Sequence, residues 1–327
     1  MALSIGKLAG LRRLADDRGI FCMTAMDQRN SLRTLVNAKD PKSVPNQLMS
    51  AIKIDLAAAL SPHSSAVLID PQYGAAQAIA AGALDSHVGL IVTLEADTPR
   101  RVGEGIITQI AEGWSVEKLE RMGGDAVKLL VRFRPDLTDA AAANRAVVQE
   151  VCEQCQRWDI PFVLETVAYP LASQSPEDFA REKPGMVIQT ARELSALCDV
   201  YKAEFPDNLK FESDPAALER HCRELDQATA VPWVILSAGA DIGPFAHMVE
   251  IACRAGASGF LAGRAIWKDY VAIANPAERR KMLDTKAVHN LGIITQIASR
   301  DARPWTEHPG VRLPSPDSFS TTWYESY

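Results

Sequence analysis

The sequence predicts an α/β protein built as a single (β/α)8 barrel, the TIM-barrel fold. Its 327 residues contain eight short apolar runs that alternate with helical patterns, and these runs are apolar throughout rather than at every second residue. A continuous apolar run is typical of a strand that is covered on both faces, as in a parallel sheet. Eight strand–helix units over roughly 240 residues are what such a barrel requires.

The predicted elements follow one another in regular order. A helix over residues 4–19, with Gly19 as its stop, is expected to cap one end of the fold. The eight strands are predicted at 20–26, 65–71, 88–94, 125–131, 162–167, 199–206, 232–239 and 259–264. Helices are predicted between them at 47–60, 115–122, 138–157 and 176–197. No hairpin signal such as Asn-Gly is present, and no Gly-x-Gly-x-x-Gly follows the first strand, which disfavours a dinucleotide-binding open sheet.

The pattern after residue 264 is helical to about residue 300, and the chain then contains four prolines. We therefore expect one barrel domain over residues 1–300 and a tail over residues 301–327. The tail either packs on the barrel or is mobile.

Composition and charge exclude several classes of function. The net charge is −6 and the pI is near 5.6, which argues against a nucleic-acid or anionic-membrane partner. The amino terminus is too charged for a secretory signal, and no apolar run reaches the roughly 18 residues of a membrane span. The six cysteines and six histidines lack metal-site spacing. We expect a cytoplasmic homo-oligomer with free thiols, without metal or cofactor.

One predicted strand contains a lysine that calls for an explanation. Lys202 lies within the apolar run 199–206, where burial of an unpaired ammonium is costly. Such a lysine either pairs with a carboxylate or has a lowered pKa, and a lysine of lowered pKa forms Schiff bases with carbonyl substrates. Structural pairing with Asp199 or Glu204 is the alternative, but Asp199 faces the other side of the strand and Glu204 lies farther along it. The sequence favours Lys202 as a nucleophile.

Two further strands carry a charge at the same place, Lys128 and Glu165, and the three charged residues are 37 and 37 positions apart. Adjacent parallel strands would bring them together. Lys128 is expected to lower the pKa of Lys202 by repulsion, and it can at the same time form a salt bridge to Glu165. Glu165 is the expected proton carrier for iminium chemistry, with a purely structural role as the alternative.

Polar residues also collect at the carboxyl ends of the predicted strands, which form the active-site face of such barrels. The first strand ends in Asp27, Gln28 and Arg29. The turns after the seventh and eighth strands suit a phosphate group, because glycine lets an anion approach backbone N–H groups closely. The residues expected there are Ser237, Gly239, Gly263 and Arg264. Arg29 is the expected cation for the far end of the substrate. A Ser-His-Asp site around Ser237 has little support, because Ser-Ala-Gly is not a nucleophile elbow.

Taken together, these segments resemble the class I tagatose 1,6-bisphosphate aldolase family over about residues 5–300. The matching segments are Asp27-Gln-Arg, Leu68-Ile-Asp-Pro-Gln-Tyr-Gly, Ala126-Val-Lys128, Phe162-Val-Leu-Glu165, Asp199-Val-Tyr-Lys202-Ala-Glu-Phe-Pro, Leu236-Ser-Ala-Gly239 and Ala262-Gly-Arg264-Ala-Ile-Trp. Two features depart from the family: Asn30-Ser31 stands where Gly-Ala is expected, and the proline-rich tail has no counterpart.

The resemblance implies a metal-free barrel in which Lys202 forms the Schiff base, Glu165 shuttles protons, and Asp27 and Lys128 assist. It implies cleavage of tagatose 1,6-bisphosphate to dihydroxyacetone phosphate and glyceraldehyde 3-phosphate. A related branch cleaves sulfofructose 1-phosphate to dihydroxyacetone phosphate and sulfolactaldehyde, and the Lys-x-Glu ending of the sixth strand favours the bisphosphate. The alternative from another class is a non-catalytic sugar-phosphate sensor.

Overall fold

The predicted strands form one closed parallel barrel in the computed structural model, which describes residues 3–327. The strands, β1–β8, are Phe21–Met26, Ala66–Ile69, Gly89–Thr93, Ala126–Arg132, Phe162–Val167, Val200–Ala203, Trp233–Ile235 and Gly259–Ala262. Each strand pairs in parallel with its neighbour along the chain, and β1 pairs with β8, which closes the ring. The predicted (β/α)8 barrel is confirmed.

Helices cover the outside of the barrel. In chain order, α1–α12 are Ile5–Leu14, Asn30–Val36, Asn46–Leu60, Ala75–Ala80, Val116–Arg121, Thr138–Arg157, Pro176–Leu194, Pro215–Ala228, Ile242–Ala255, Arg264–Trp267, Pro276–Met282 and Val288–Asp301. A π-helical stretch, Leu283–Ala287, joins α11 to α12. Short 3-10 turns occur at Pro41–Ser43, Ser61–His63, Ser195–Leu197, Trp305–Glu307, Pro316–Ser318 and Trp323–Ser326. No helix among residues 3–327 combines the length and apolarity needed to cross a bilayer.

The amino-terminal half of the barrel interior is filled with apolar side chains. Inward-facing residues of the strands form one buried cluster with three leucines of α1 and with Trp305 of the tail. Trp305 is 1% exposed and stacks on Phe21 with 6.4 Å between ring centroids, and its backbone N–H donates to the Gly19 carbonyl. This end of the barrel is therefore closed, and the carboxyl ends of the strands remain for a site.

Four details differ from the sequence predictions or complete them. The first helix ends at Leu14 rather than Gly19, because Ala15 is already extended; Gly19, with φ +80°, lies in the following turn. A hairpin that the sequence did not signal pairs Arg100–Val102 with Gly105–Ile107, and Gly103 supplies the positive φ of its turn. The first part of the tail packs on the barrel through Trp305. All six cysteines are free thiols and are buried.

Candidate active site

The structure brings together the three charged residues that the sequence places 37 positions apart. Strand register sets Glu165 of β5 directly beside Lys202 of β6. Lys202 Nζ donates to Glu165 Oε2 at 2.9 Å, and Lys128 Nζ of β4 lies 2.9 Å from the same oxygen. All three line a cavity at the carboxyl ends of the strands. One carboxylate oxygen thus lies between two buried ammonium groups.

Lys128 is surrounded by three carboxylates. Its Nζ lies 2.9 Å from Asp27, 2.8 Å from Glu95 and 2.9 Å from Glu165. Burial alone would lower the pKa of Lys128, but the three negative charges outweigh burial and hold that pKa well above its usual value. Lys128 is therefore a fixed cation, and all its ammonium hydrogens face carboxylates.

The carboxyl groups of Asp27 and Glu165 are shifted in the opposite direction. Burial alone would raise both pKa values, but the positive charges of Lys128 and Lys202 outweigh it and lower the pKa of each group. Both groups are carboxylates at neutral pH. They can accept protons and hydrogen bonds from a bound molecule.

A second buried ion pair holds the backbone around Asp27. Lys53 of α3 is fully buried, and its Nζ donates to the carbonyls of Met26 at 2.6 Å and Gln28 at 2.9 Å. It also lies 2.5 Å from Asp70, whose second oxygen accepts from two N–H groups of the turn after β2. Lys53 thus clamps the peptide units on both sides of Asp27. In the sequence Lys53 is an unremarkable helix residue, and nothing local indicates this role.

The residues expected to hold a phosphate come together after β7 and β8, across the barrel from Lys128 of β4. Ser237, Gly263 and Arg264 line it, and Gly239 has φ +82° after Ala238 with φ +47°. A Cβ on Gly239 would lie 3.3 Å from the Arg264 guanidinium carbon, and a Cβ on Gly263 would lie 2.5 Å from the Ala25 carbonyl oxygen. The backbone contact requires glycine at residue 263, and the positive φ favours glycine at residue 239. Both turns contribute to the part of the cavity wall that contains Arg264.

Gln28 and Arg29 also line the cavity, but the Arg29 guanidinium is already occupied. It is 8% exposed, donates to the Glu95 carbonyl at 2.9 Å, and lies 3.7 Å from the Glu95 carboxylate and 3.4 Å from that of Asp97. A different cation, Arg132 at the end of β4, also lines the cavity and is not among the residues predicted from the sequence. It follows Lys128 at a spacing of four, so the period-two alternation of a strand places both on the inner face.

A metal site has no support in the described part of the chain. Among residues 3–327, no group of three or more His, Cys, Asp or Glu side chains is arranged to hold a metal ion. The carboxylates that converge here already face ammonium groups.

Solved structures share this barrel. An archaeal fructose 1,6-bisphosphate aldolase superposes with a TM-score of 0.57 at 18% identity, over 87% of this chain and 98% of that one. A Schiff-base-forming fructose 1,6-bisphosphate aldolase superposes with a TM-score of 0.54, also at 18% identity, over 85% and 98%. These likenesses show the class of fold, a (β/α)8 barrel.

Sequence comparison narrows this class to a family. The profile of the DeoC/LacD family aldolases matches residues 21–269. The tagatose 1,6-diphosphate aldolase of Streptococcus agalactiae is 30% identical, over 94% of this chain and 100% of the relative. Tagatose 1,6-diphosphate aldolase 2 of Enterococcus faecalis is also 30% identical, over 93% and 97%. The chain belongs to the DeoC/LacD family of aldolases.

Proposed function

We propose that this protein is a class I aldolase that cleaves tagatose 1,6-bisphosphate into dihydroxyacetone phosphate and glyceraldehyde 3-phosphate. The observation that supports this most directly is the environment of Lys202, a lysine in the cavity wall whose Nζ has one carboxylate partner, Glu165, at 2.9 Å. The relatives named tagatose 1,6-diphosphate aldolase support the choice of substrate.

Schiff-base formation requires proton transfers between Lys202 and Glu165. The Lys202 ammonium gives a proton to the Glu165 carboxylate, and the free amine adds to the carbon-2 carbonyl of the substrate. Glu165 then returns its proton to the carbinolamine hydroxyl, which leaves as water as the iminium forms. Because one oxygen of Glu165 faces Lys202 directly, the same group can serve both transfers.

Cleavage uses the iminium as the electron sink. Glu165, again a carboxylate, takes the proton of the carbon-4 hydroxyl, and the carbon-3 to carbon-4 bond breaks toward the iminium nitrogen. The aldehyde leaves and an enamine remains, which is protonated at carbon 3 and hydrolysed to release the ketone. Lys128 keeps Glu165 ionised, and Asp27 offers a fixed acceptor to a substrate hydroxyl.

Sulfofructose 1-phosphate is the second candidate substrate. A guanidinium binds a sulfonate as well as a phosphate, so the arginines of the cavity suit either group at carbon 6. A non-catalytic sugar-phosphate sensor is the third hypothesis, and measurable cleavage of any of these substrates would exclude it.

Side-by-side specificity constants test the proposal. We expect kcat/KM to be highest for tagatose 1,6-bisphosphate and measurable for fructose 1,6-bisphosphate, because one proton acceptor controls the carbon-4 hydroxyl only loosely. Activity is expected to survive chelators, and Lys202→Met is the inactive control. A tenfold or larger preference for sulfofructose 1-phosphate, about 1.4 kcal/mol, would overturn the choice of substrate. Loss of activity with EDTA that zinc restores would overturn the class I mechanism.

A further inference from the structure

Two arginines stand apart from the other charged side chains of the cavity. Within the described residues, each remaining charged residue that lines the cavity has an ion-pair partner; these are Asp27, Arg29, Glu95, Asp97, Lys128, Glu165, Lys202 and Glu204. The guanidinium groups of Arg132 and Arg264 have neither an ion-pair partner nor a hydrogen-bond acceptor anywhere in residues 3–327. Both side chains are half-buried. They are therefore the two cations free to bind a ligand anion.

The ring of strands places these arginines on opposite sides of the nucleophile. Arg132 lies at the end of β4 and Arg264 directly after β8, so they are half a turn apart in a barrel of eight strands. Lys202 lies on β6, midway between them along the ring. A ketose held at carbon 2 by Lys202, with its carbon-1 phosphate toward Arg264, would extend its other end toward Arg132.

The backbone that carries Arg132 is fixed. The fully buried Asn144 of α6 donates to the Arg132 carbonyl at 3.2 Å and to that of Ile106 at 2.8 Å, which ties β4 to the hairpin after β3. Thr108 donates from its hydroxyl to the Leu130 carbonyl at 2.9 Å. The strand end is held by these hydrogen bonds to α6 and to the segment after β3, so the guanidinium is presented from a rigid element.

Arg29, the cation expected from the sequence, is less suited to this task. Its contacts with the Glu95 carbonyl and with the carboxylates of Glu95 and Asp97 would have to be given up to bind a second anion. Glu95 in turn holds Lys128 at 2.8 Å, so a movement of Arg29 would disturb the catalytic cluster. Arg132 can bind an anion without breaking any contact.

We infer that Arg132 binds the anionic group at carbon 6 of the ketose and is the residue that selects substrates with a second terminal anion. This inference rests on the proposed aldolase function and deepens it. Arg264, with the turn at Gly239, binds the carbon-1 phosphate. A phosphate or a sulfonate at carbon 6 would be bound by the same guanidinium fork.

The test compares three matched substitutions on two kinds of substrate. Two substrates are compared: tagatose 1,6-bisphosphate, and tagatose 1-phosphate, which carries an uncharged hydroxyl group at carbon 6. Both are assayed with the variants Arg132→Gln, Arg264→Gln and Arg29→Gln. Arg132→Gln is expected to lower kcat/KM for the bisphosphate by about 10- to 100-fold, the range of a lost charged hydrogen bond. The same variant should leave kcat/KM for the monophosphate within about threefold.

The other variants serve as controls. Arg264→Gln should lower kcat/KM for both substrates alike, and Arg29→Gln should leave their ratio near that of the wild type. Arg132→Lys should restore part of the preference for the bisphosphate. Sulfofructose 1-phosphate, tested in parallel, shows whether the carbon-6 subsite favours sulfonate or phosphate; in either case the inference requires its kcat/KM to fall in Arg132→Gln.

Two results would overturn the inference. One is an equal effect of Arg132→Gln on bisphosphate and monophosphate, and the other is a selective loss in Arg29→Gln instead. Because the Arg132 guanidinium makes no contact that the fold needs, circular dichroism and melting should match the wild type, so a null result cannot be assigned to misfolding. Failure of the proposed function would look different, since the wild type would then cleave neither substrate.

Discussion

Lys128 and Lys202 contact the same oxygen of Glu165 but differ in the rest of their surroundings. Lys128 is 1% exposed and faces three carboxylates, whereas Lys202 is 4% exposed and has Glu165 as its one ion-pair partner in residues 3–327. An ammonium held by three negative charges cannot easily give up its proton, while one held by a single carboxylate can transfer its proton to that partner. In the proposed mechanism, the number of carboxylate partners distinguishes Lys128, the fixed cation, from Lys202, the nucleophile.

The largest effect is expected from removing Lys202, the proposed nucleophile. Lys202→Met should reduce turnover by about 10⁴-fold or more, because no other group can form the covalent intermediate. Binding of dihydroxyacetone phosphate should weaken far less, since its phosphate site remains. Steady-state assays and calorimetric titration measure the two quantities. Turnover above a tenth of the wild-type rate would mean that another amine is the nucleophile.

Removing Glu165, the proposed proton carrier, should have the next largest effect. Glu165→Gln is nearly isosteric but cannot take a proton from Lys202, so kcat should fall by about 10²- to 10⁴-fold with little change in KM. A matched control is Glu204→Gln, which changes a buried glutamate directly after β6 that pairs with Lys183 at 3.7 Å. Equal losses in the two variants, or a loss confined to KM, would make Glu165 a positioning residue.

Lys128→Met should change the pH profile. Lys128 is the leading cause that lowers the pKa of Glu165, so without it burial should raise that pKa. Glu165 would then become protonated at a higher pH, and the acid limb of the kcat profile should move to higher pH. Lys7→Met removes a lysine paired with Asp199 at the closed end of the barrel and should leave the limb in place. An unmoved limb in Lys128→Met would contradict the assigned role.

The smallest effect concerns stability. The pKa of Asp27 is lowered in the folded protein relative to its ordinary value of 3.8. The ionised carboxylate therefore stabilises the fold fully when the pH is above 3.8. This contribution is lost as the pH falls from 3.8 toward the lower pKa of the folded protein. In Asp27→Asn the free energy of unfolding should therefore decrease less between pH 5 and pH 3. Urea titrations at several pH values measure this, and an unchanged slope would contradict it.

The barrel and the cluster of Lys128, Glu165 and Lys202 can be predicted from the sequence because both follow from regular spacings along the chain. Buried parallel strands are apolar throughout, and one strand–helix unit per 37 residues places Lys128, Glu165 and Lys202 side by side. The phosphate turns are accessible for the related reason that glycine marks a close approach of backbone.

The ion pairs and hydrogen bonds that charged side chains form with distant segments cannot be predicted in this way. Nothing local in the sequence shows that Arg29 faces Glu95 and Asp97, or that Lys53 reaches from a helix to the carbonyls beside Asp27. Whether a charge at a strand end is free or neutralised depends on these partners. Arg132 was missed because the predicted strand ended one residue before it, although alternation from Lys128 would have placed it inside.

Reductive trapping of the iminium distinguishes attack on the ketone by Lys202 from attack by Lys128. Borohydride is added to the protein with dihydroxyacetone phosphate, and the modified residue is found by peptide mass mapping. We predict one reduced adduct on Lys202, unchanged in amount by a chelator and absent in Lys202→Met. An adduct on Lys128, or none at all under conditions of measurable cleavage, would overturn the assignment of Lys202 as the nucleophile.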